Sequence, residues 1–380
     1  MQVSVLSAAW HSDMELKNNI SSKVLENRLY PRVEDIRGCF FRDLTAIIHS
    51  YPYRRLKHKT QVFFAPHNDH ICTRMEHVMH VATISVTICK ALHLDTDLAW
   101  AISVGHDLGH TPFGHTGESI LSKYLEKQGG FCHEIYSLRV VDHLIDGGKG
   151  LNLTYAVRDG IINHCGEKFE QYLEPAAVPC VPEKVKSRSC YPCTWEGIAV
   201  RMSDKIAYLG RDLEDALRLG IVRKEEIPET VTRVLGKDNS SMINTMVCDA
   251  VANAREKGRI GFSDPVYEAM GCLKKFNYEH IYQSPELIKY DQRIQRLIDT
   301  LWNYLNDIFV RFEFDYDKYE SEMTNLATEF AGYLKKMETF YNTEKDLSYV
   351  IPDYIAGMTD KFAIDSASEL LAPRQFSYNF

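Results

Sequence analysis

The residues best suited to chemistry lie together in one short stretch, Val104–Glu118, which reads VGHDLGHTPFGHTGE. Imidazoles and carboxylates are the protein ligands of first-row metals, and they are also the acids and bases of hydrolysis. So dense a group of them after an apolar run is hard to explain as core or as solvated surface. The candidate groups are His106, Asp107, His110, His115 and Glu118. The stretch therefore indicates a metal-binding or hydrolytic centre.

Two helices outside this stretch can bring further metal ligands to it. Apolar residues spaced three and four apart predict a helix over Thr73–His93, with His77 on its inward face and His80 a weaker rival for that direction. A long amphipathic helix is predicted over Thr194–Leu219, and Asp204 lies on its inward stripe. Mixed imidazole and carboxylate ligands suit Mn, Fe, Co, Ni or Zn, while Mg is less favoured by imidazole. We therefore expect one divalent metal site with open positions for water and substrate.

The stretch itself is expected to begin at the end of a buried helix. Leu98–Leu108 is almost wholly apolar, and Asp95-Thr96-Asp97 provides an N-cap for it. Thr116 is the expected cap of the next helix, while Tyr51-Pro52-Tyr53 is expected to break an earlier helix. Periodicity predicts other helices over 44–49, 117–127, 133–145, 153–163, 265–276, 285–312, 317–341 and 354–364. Residues 225–255 are predicted to form helices separated by Gly236-Lys237-Asp238-Asn239.

Helical periodicity along the chain, with few strand signals, predicts an all-α fold, a multi-helix bundle with one core. Residues 167–193 lose this periodicity and carry several prolines, so they are expected to form a mobile loop or an insertion. We divide the chain into an N-terminal helical arm (1–50), a catalytic core (51–220) and a C-terminal helical region packed on that core (221–380).

Composition narrows the range of partners. The 380 residues carry a net charge of −8, which argues against a broad surface that coats nucleic acid. The basic segment Arg54–Lys59 is either a solvated face or a pocket for a small polyanion. We find no run long enough to cross a membrane and no signal peptide, and we read the ten cysteines as reduced thiols in a cytoplasmic protein.

Several of these motifs together resemble one protein family. TRMEHVMHV, GHDLGHTPFGHTGE and RMSDKIAYLGRDLEDA are similar to the HD-domain superfamily, and more narrowly to the dGTP triphosphohydrolase family and its dGTPase-like relatives. The resemblance extends to RRLKHKTQVF and PDYIAGMTDKFAI, so it covers most of the chain. It implies an HD-domain bundle with additional C-terminal helices. It also implies hydrolysis of a deoxynucleoside triphosphate to deoxynucleoside and inorganic triphosphate, with dGTP as the expected substrate.

The resemblance also implies a role for each matching residue. The divalent metal (Mn, Mg, Co, Ni or Fe) would be bound by His77, His106, Asp107 and Asp204. His115 and Glu118 would form the catalytic dyad, and His133 would line the phosphate site, although Glu134 follows it where many relatives have Asn. The expected substrate-binding residues are Arg74 and Lys205 for phosphate, Tyr208 and Asp212 for the deoxyribose, and Arg55 and Gln61 for the nucleotide.

Several alternatives stay open at this point. Another HD phosphohydrolase, acting on nucleoside monophosphates or phosphodiesters, would share the metal ligands, and so would a nucleotide-responsive binding protein with a degenerate site. The resemblance implies a homo-oligomer, a tetramer or hexamer, and some members bind a nucleotide effector or single-stranded DNA. The pair Cys190 and Cys193, with Cys180 upstream, could hold structural zinc, but reduced loop cysteines are the simpler interpretation of a single CxxC.

Overall fold

The computed structural model describes residues 15–64, 68–165, 169–186 and 188–372. α-Helices dominate these ranges. They are α1 Ser22–Leu25, α2 Cys39–His49, α3 Tyr51–Arg55, α4 Arg74–Ala91, α5 Thr96–Gly105, α6 Gly114–Tyr124, α7 His133–Asp142, α8 Tyr155–Ile162, α9 Trp195–Arg218, α10 Glu229–Val234, α11 Asn239–Lys257, α12 Asp264–Asn277, α13 Pro285–Phe312, α14 Asn325–Glu344, α15 Val350–Ala356 and α16 Asp360–Leu371.

Extended structure is confined, among the described residues, to two short strands and two isolated bridges. Strand β1 (Tyr172–Leu173) pairs antiparallel with β2 (Ile260–Gly261), with Tyr172 opposite Gly261. The prediction of an all-α fold is therefore confirmed. A π-helical turn, Tyr278–Tyr282, follows α12. Short 3-10 helices lie at Leu56–His58, Glu126–Gln128, Asp146–Gly148, Pro182–Lys184, Lys224–Glu226, Tyr316–Glu322 and Leu347–Tyr349.

Helix α5 is the central element, as its apolar sequence predicted. The Asp95 carboxylate caps it by accepting hydrogen bonds from the backbone N–H groups of Asp97 (2.9 Å) and Leu98 (3.0 Å). Every residue from Ala101 to Gly105 is buried, because α2, α4, α8 and α9 surround the helix. The helix ends three residues earlier than expected, and His106 occupies its C-cap. The cap therefore carries the first residue of the His-Asp doublet.

Helices α4 and α9 also follow their predictions closely. The backbone N–H of Thr73 donates to the Glu76 carboxylate at 2.7 Å, and α4 then runs to Ala91 with His77 buried on its inner face. The Thr194 hydroxyl accepts from the Gly197 N–H at 3.1 Å and so caps α9, as expected. These two helices pack against each other, which places their polar inner residues opposite one another.

Four local expectations were wrong, and each has a physical cause. Tyr51-Pro52-Tyr53 forms α3 instead of a break, because the Ser50 side chain caps it and Pro52 lies in the first turn, where its missing N–H costs nothing. Helix α6 begins at Gly114 after Phe113, whose left-handed φ of 62° turns the chain there. Thr116 caps nothing and donates its hydroxyl to Asp291 at 2.6 Å.

The other two differences lie near the C-terminus. The predicted helix over 317–341 is split, because Met323 has a φ of 51° and separates the 3-10 helix from α14. The predicted helix over 354–364 is likewise two helices, α15 and α16, separated at residues 357–359. Thr359 starts the second one, with its side chain accepting from the Phe362 N–H at 3.2 Å.

Buried apolar residues form two clusters, so the expectation of one core was also wrong. The first joins α2, α4, α5, α8, α9, α11 and α12, and the second joins α6 with α13 to α16. Leu108 belongs to the first cluster and Phe113 to the second, so the residues between them cross from one core to the other. The proposed division at residues 50 and 220 stays a prediction.

Polar anchors hold the second core against this crossing segment. The buried Asp360 carboxylate accepts from the backbone N–H groups of Thr60 (2.8 Å) and Phe113 (2.9 Å). The Lys59 ammonium donates to the carbonyls of His110 and, at 2.7 Å, Ala356. The motif PDYIAGMTDKFAI thus fixes the chain just before α6. Within the described residues, no helix is long and apolar enough to cross a membrane.

Candidate active site

A cavity of about 820 Å³ opens at the junction of the two cores. Ten of the predicted residues line it. They are Gln61, Arg74, His77, Asp107, His115, His133, Asp204, Lys205, Tyr208 and Asp212. His106 lies fully buried beside His77, and Glu118 lines an adjoining depression. Arg55 lies outside both lining sets and donates to the Gly357 carbonyl at 2.6 Å, so its guanidinium anchors the C-terminal helices.

The four predicted metal ligands come together from three helix-based elements. His77 Nε2 lies 3.0 Å from Asp204 Oδ1 and 3.8 Å from Asp107 Oδ2, which joins α4, α9 and the C-terminal end of α5. His106 Nε2 lies 3.4 Å from Asp107 Oδ1. Donor atoms of His77, His106 and Asp107 all lie within 4.8 Å of one another. This is the arrangement expected of ligands that share one ion.

The state of His106 fits a metal ligand. Its Nδ1–H donates to the Ser103 carbonyl at 2.6 Å, while its buried Nε2 has no hydrogen-bond partner. Burial lowers the pKa of His106 to about 4, so the ring is neutral, and a neutral imidazole is the form that binds metals. An orphaned buried nitrogen 3.4 Å from the Asp107 carboxylate is costly without a partner, and a bound cation would satisfy it.

The two carboxylates stay ionised despite their burial. Burial by itself raises the pKa of Asp107, but the nearby His106, His110 and Arg74 hold that pKa well below its ordinary value. Arg74 Nη1 donates to Asp107 Oδ2 at 2.6 Å. Burial likewise opposes ionisation of Asp204, but the hydrogen bond from His77, together with the charge interactions of the surrounding imidazoles, outweighs it and lowers the pKa of Asp204. Two carboxylates and two imidazoles are a ligand set that suits a divalent ion.

A second polar group surrounds Glu118 on α6. The carboxylate lies 3.2 Å from His115 Nδ1 and 3.0 Å from His133 Nδ1, and it accepts from the His133 backbone N–H at 3.1 Å. Burial opposes charge on His133, but the Glu118 carboxylate and Cys165 together outweigh it and raise the pKa of His133 well above its ordinary value. His115 is largely exposed to the cavity, whereas His133 is buried. Glu118 therefore orients two imidazoles at once.

Of the remaining predicted residues, Lys205, Tyr208 and Asp212 line the cavity from α9, and Gln61 lines it from the segment before α4. Lys205 Nζ pairs with Glu170 Oε2 at 2.7 Å. The Tyr282 hydroxyl donates to Asp212, and burial raises the pKa of Asp212 to about 7. The side-chain oxygen of Gln61 is buried and has no hydrogen-bond partner, so it can accept from a ligand in the cavity.

Sequence reasoning missed four residues at this site. Arg188 donates to Glu118 at 3.0 Å and also to Glu134, so it clamps both carboxylates. Arg201, almost fully buried, donates to the carbonyls of Asn163 (2.9 Å) and Cys165 (2.7 Å). Arg201 falls within the predicted long helix, where its inward position was a usable signal. The others, Arg188, His164 and Cys165, lie beyond helix ends or in the aperiodic segment, where no pattern marks them.

Six imidazoles form an unbroken chain of contacts across the site. Adjacent rings have centroids between 3.9 and 5.6 Å apart. In order of contact they are His77, His106, His164, His133, His110 and His115. The chain connects the metal ligands to the Glu118 group.

The cysteine pair in the aperiodic segment forms no comparable centre. Cys180 Sγ donates to Asp159 Oδ1 at 3.2 Å, and the Cys193 backbone N–H donates to the same carboxylate at 2.7 Å. Among the described residues, none of the groups with metal-ligand spacing contains Cys180, Cys190 or Cys193. No disulfide joins any of the ten cysteines, and the reduced loop thiols stay a prediction.

Comparison with known proteins places this geometry in a family. The HD domain model matches residues 74–180, and the phosphohydrolase-associated domain model matches residues 260–369. Three relatives share the name deoxyguanosinetriphosphate triphosphohydrolase-like protein. The chain is 38% identical to that of Caldanaerobacter subterraneus subsp. tengcongensis over 364 residues (95% of this chain, 94% of the relative). It is 37% identical to that of Desulfatibacillum aliphaticivorans over 342 residues (89% of each). It is 36% identical to that of Clostridium perfringens strain SM101 over 350 residues (91% and 90%). The chain therefore belongs to the deoxyguanosinetriphosphate triphosphohydrolase-like family of HD-domain hydrolases.

Proposed function

We propose that this protein hydrolyses deoxynucleoside triphosphates to the deoxynucleoside and inorganic triphosphate, with dGTP as its preferred substrate. One observation carries the proposal: a single cavity is lined by three of the four metal-ligand residues, with His106 buried beside them, by the two imidazoles that Glu118 orients, and by the Tyr208–Asp212 pair. The printed name of the relatives supports dGTP as the first substrate to test.

The cavity offers cationic groups for a triphosphate. Arg74 lines the cavity, and its guanidinium forms an ion pair with Asp107. Lys205 also lines the cavity and forms an ion pair with Glu170. His133 adds a third positive group, because Glu118 favours its protonated form. Preorganised charges of this kind stabilise the charge that develops on the phosphoryl oxygens, a contribution of about 3 kcal/mol for a single donor.

The metal site would be held by His77, His106, Asp107 and Asp204. A divalent ion there would act as a Lewis acid toward a phosphoryl oxygen and would make a water molecule more acidic. The chain's own contribution is orientation, because Ser103 fixes the ring of His106 and Arg74 fixes the carboxylate of Asp107.

The Glu118 group would handle the protons. Glu118 holds His115 through Nδ1, which leaves Nε2 free for substrate or water. Water attacks the α-phosphorus, the bond from that phosphorus to the 5′ oxygen breaks, and the triphosphate leaves intact. His115 is suited either to take the proton of the water or to give one to the 5′ oxygen.

The Tyr208–Asp212 pair would recognise the sugar. The two residues lie one turn apart on α9, and both line the cavity. The ionised Asp212 carboxylate can accept from a 3′ hydroxyl, while the Tyr208 ring can exclude a 2′ hydroxyl. The Tyr282 hydroxyl keeps Asp212 in place. A homo-oligomer and a nucleotide effector or single-stranded DNA remain predictions.

Product analysis tests the proposal. The purified protein, loaded with Mn, is incubated with dGTP in ¹⁸O-labelled water, and products are resolved by chromatography and phosphorus NMR. We expect deoxyguanosine and intact triphosphate, with the label on a terminal phosphorus of the triphosphate, and no product from the His115→Ala variant. Monophosphate or diphosphate products would instead indicate a different HD phosphohydrolase. Tight binding without turnover would indicate the binding protein.

A further inference from the structure

We propose that the protein has a second metal site, formed by His133, His164 and Cys165, which binds a zinc-like divalent ion next to the first site. The donor atoms of these three residues all lie within 4.8 Å of one another. The site is separate from the four ligands described above, and it does not depend on which substrate the enzyme hydrolyses.

The distances between donor atoms match a tetrahedral ion. Zinc binds nitrogen at about 2.0–2.1 Å and thiolate sulfur at about 2.3 Å, so a tetrahedral angle separates two nitrogens by about 3.3–3.4 Å and a nitrogen and a sulfur by about 3.5–3.6 Å. His133 Nε2 lies 3.3 Å from His164 Nε2 and 3.6 Å from Cys165 Sγ. Both separations fall where a shared ion would put them.

The other ring nitrogens are already occupied in the way that metal-binding histidines require. His164 Nδ1–H donates to the Ile161 carbonyl at 2.7 Å, and His133 Nδ1 lies 3.0 Å from the Glu118 carboxylate. These partners fix each ring and direct its Nε2 outward, as the second shell of a metal site does. The two imidazoles thus present their Nε2 atoms to one point.

The backbone that carries two of the ligands is held rigidly. His164 and Cys165 follow α8, and Arg201 donates to the carbonyls of Asn163 and Cys165 on either side of His164. Arg201 is itself buried and positioned on α9. A site prepared in this way loses little conformational entropy when it binds an ion.

The fourth coordination position would be open. All three ligands line the main cavity, and three protein ligands with one open position are the pattern of catalytic zinc sites. The His164 ring packs edge-on against His106, with centroids 4.7 Å apart, so the second ion would adjoin the first. An ion bound here would supply the positive charge that the protonated His133 ring supplies when the ion is absent. On binding, the proton of the Cys165 thiol and any proton on His133 Nε2 would be released to solvent, and the thiolate sulfur would stay bound to the ion.

Metal counting on the whole protein tests this site. The chelator-treated protein is equilibrated with Zn²⁺ or Co²⁺, the unbound metal is removed, and the metal per chain is measured by mass spectrometry. We expect two ions per chain and, with Co²⁺, a thiolate-to-cobalt charge-transfer band. Cys165→Ser should bind one ion and lose the band, whereas Asp204→Asn should bind one ion and keep it.

Two further variants serve as controls for this metal count. Cys190→Ser is the matched control, since it removes a thiol of the CxxC pair, and it should keep both ions and the band. His164→Gln retains the thiol but removes one nitrogen, and it should bind the second ion about tenfold more weakly or worse, so the site stays testable if Cys165→Ser does not fold. One ion per chain in the unaltered protein, or a charge-transfer band that survives Cys165→Ser, would overturn the proposal.

Discussion

Replacing Glu118 by Gln is the sharpest test of the acid–base group. Besides His115, three donors contact the carboxylate: His133 Nδ1 at 3.0 Å and the His133 backbone N–H at 3.1 Å, both buried, and the partly exposed Arg188 Nη2 at 3.0 Å. An amide keeps the shape but removes the charge, and a hydrogen bond to a charged group exceeds a neutral one by about 1 kcal/mol. We therefore expect a loss of about 3 kcal/mol in the free energy of unfolding.

The same change should lower kcat by a factor of about 10² to 10⁴, because His115 and His133 both lose their orienting charge. Glu134→Gln is the matched control. Glu134 also contacts Arg188, and it lies 3.5 Å from His133 Nδ1, but no contact joins it to His115. Urea unfolding and steady-state kinetics with dGTP measure both effects. If both variants lose activity equally, the conclusion that Glu118 supports activity by orienting His115 is wrong.

The stability difference should also depend on pH. Glu118 has a lowered pKa in the folded protein, so its contribution is present above the ordinary glutamate range and is lost as pH falls toward the lowered pKa. His133 has a raised pKa, so its contribution is complete below about 6.5, its unfolded value, and is lost as pH rises toward the raised pKa. The gap between the unaltered protein and Glu118→Gln should thus be widest between about pH 5 and 6.5 and narrow on either side. A gap that is flat between pH 4 and 9 would refute this account.

Three further predictions follow from the site and its anchors. Asp204→Asn should lower the affinity for Mn at least tenfold, as read by isothermal calorimetry, and chelation of the Mn-loaded proteins should lower the unfolding midpoint of the unaltered protein by more than that of this variant. The KM for dGTP should rise as pH falls through about 7, where Asp212 becomes protonated, and the KM of Asp212→Asn should be high at every pH. Asp360→Asn must turn its NH₂ toward the N–H of either Thr60 or Phe113, so it should cost about 1–3 kcal/mol in urea unfolding. If the variant is as stable as the unaltered protein, the hydrogen bonds of Asp360 do not contribute to the free energy of unfolding.

The predicted ligands on regular helices could be placed from sequence, because periodicity fixes the direction of their side chains. His77 and Asp204 lie on inward stripes of α4 and α9, and the doublet follows an apolar helix, so their approach to one another follows from amphipathicity. The helix ends were less accessible. Helix α6 starts two residues before Thr116 because Phe113 adopts a left-handed conformation, and its N–H bonds to Asp360, 247 residues away. No local pattern encodes such a contact.

The groups supplied by loops were inaccessible for the same reason. Arg188 reaches Glu118 from a segment that has no hydrophobic period, and its neighbours along the chain predict no direction for its side chain. His164 and Cys165 lie just beyond α8, where their convergence with His133 depends on how α7 and α8 pack. The same packing explains why one expected core is two, since the chain between Leu108 and Phe113 belongs to both.

The unbroken chain of six imidazoles makes the site a single charge-regulating unit. The stacked rings of His110 and His133, with centroids 3.9 Å apart, repel one another when both are protonated, so a proton on His133 disfavours one on His110. A cation bound at either end displaces protons from rings farther along, and an arriving polyanion draws them back. Metal uptake should therefore release a number of protons that varies with pH, and calorimetric enthalpies of metal binding should vary with the ionisation enthalpy of the buffer. Through this exchange, the enzyme can match the positive charge of its cavity to the negative charge of what it holds.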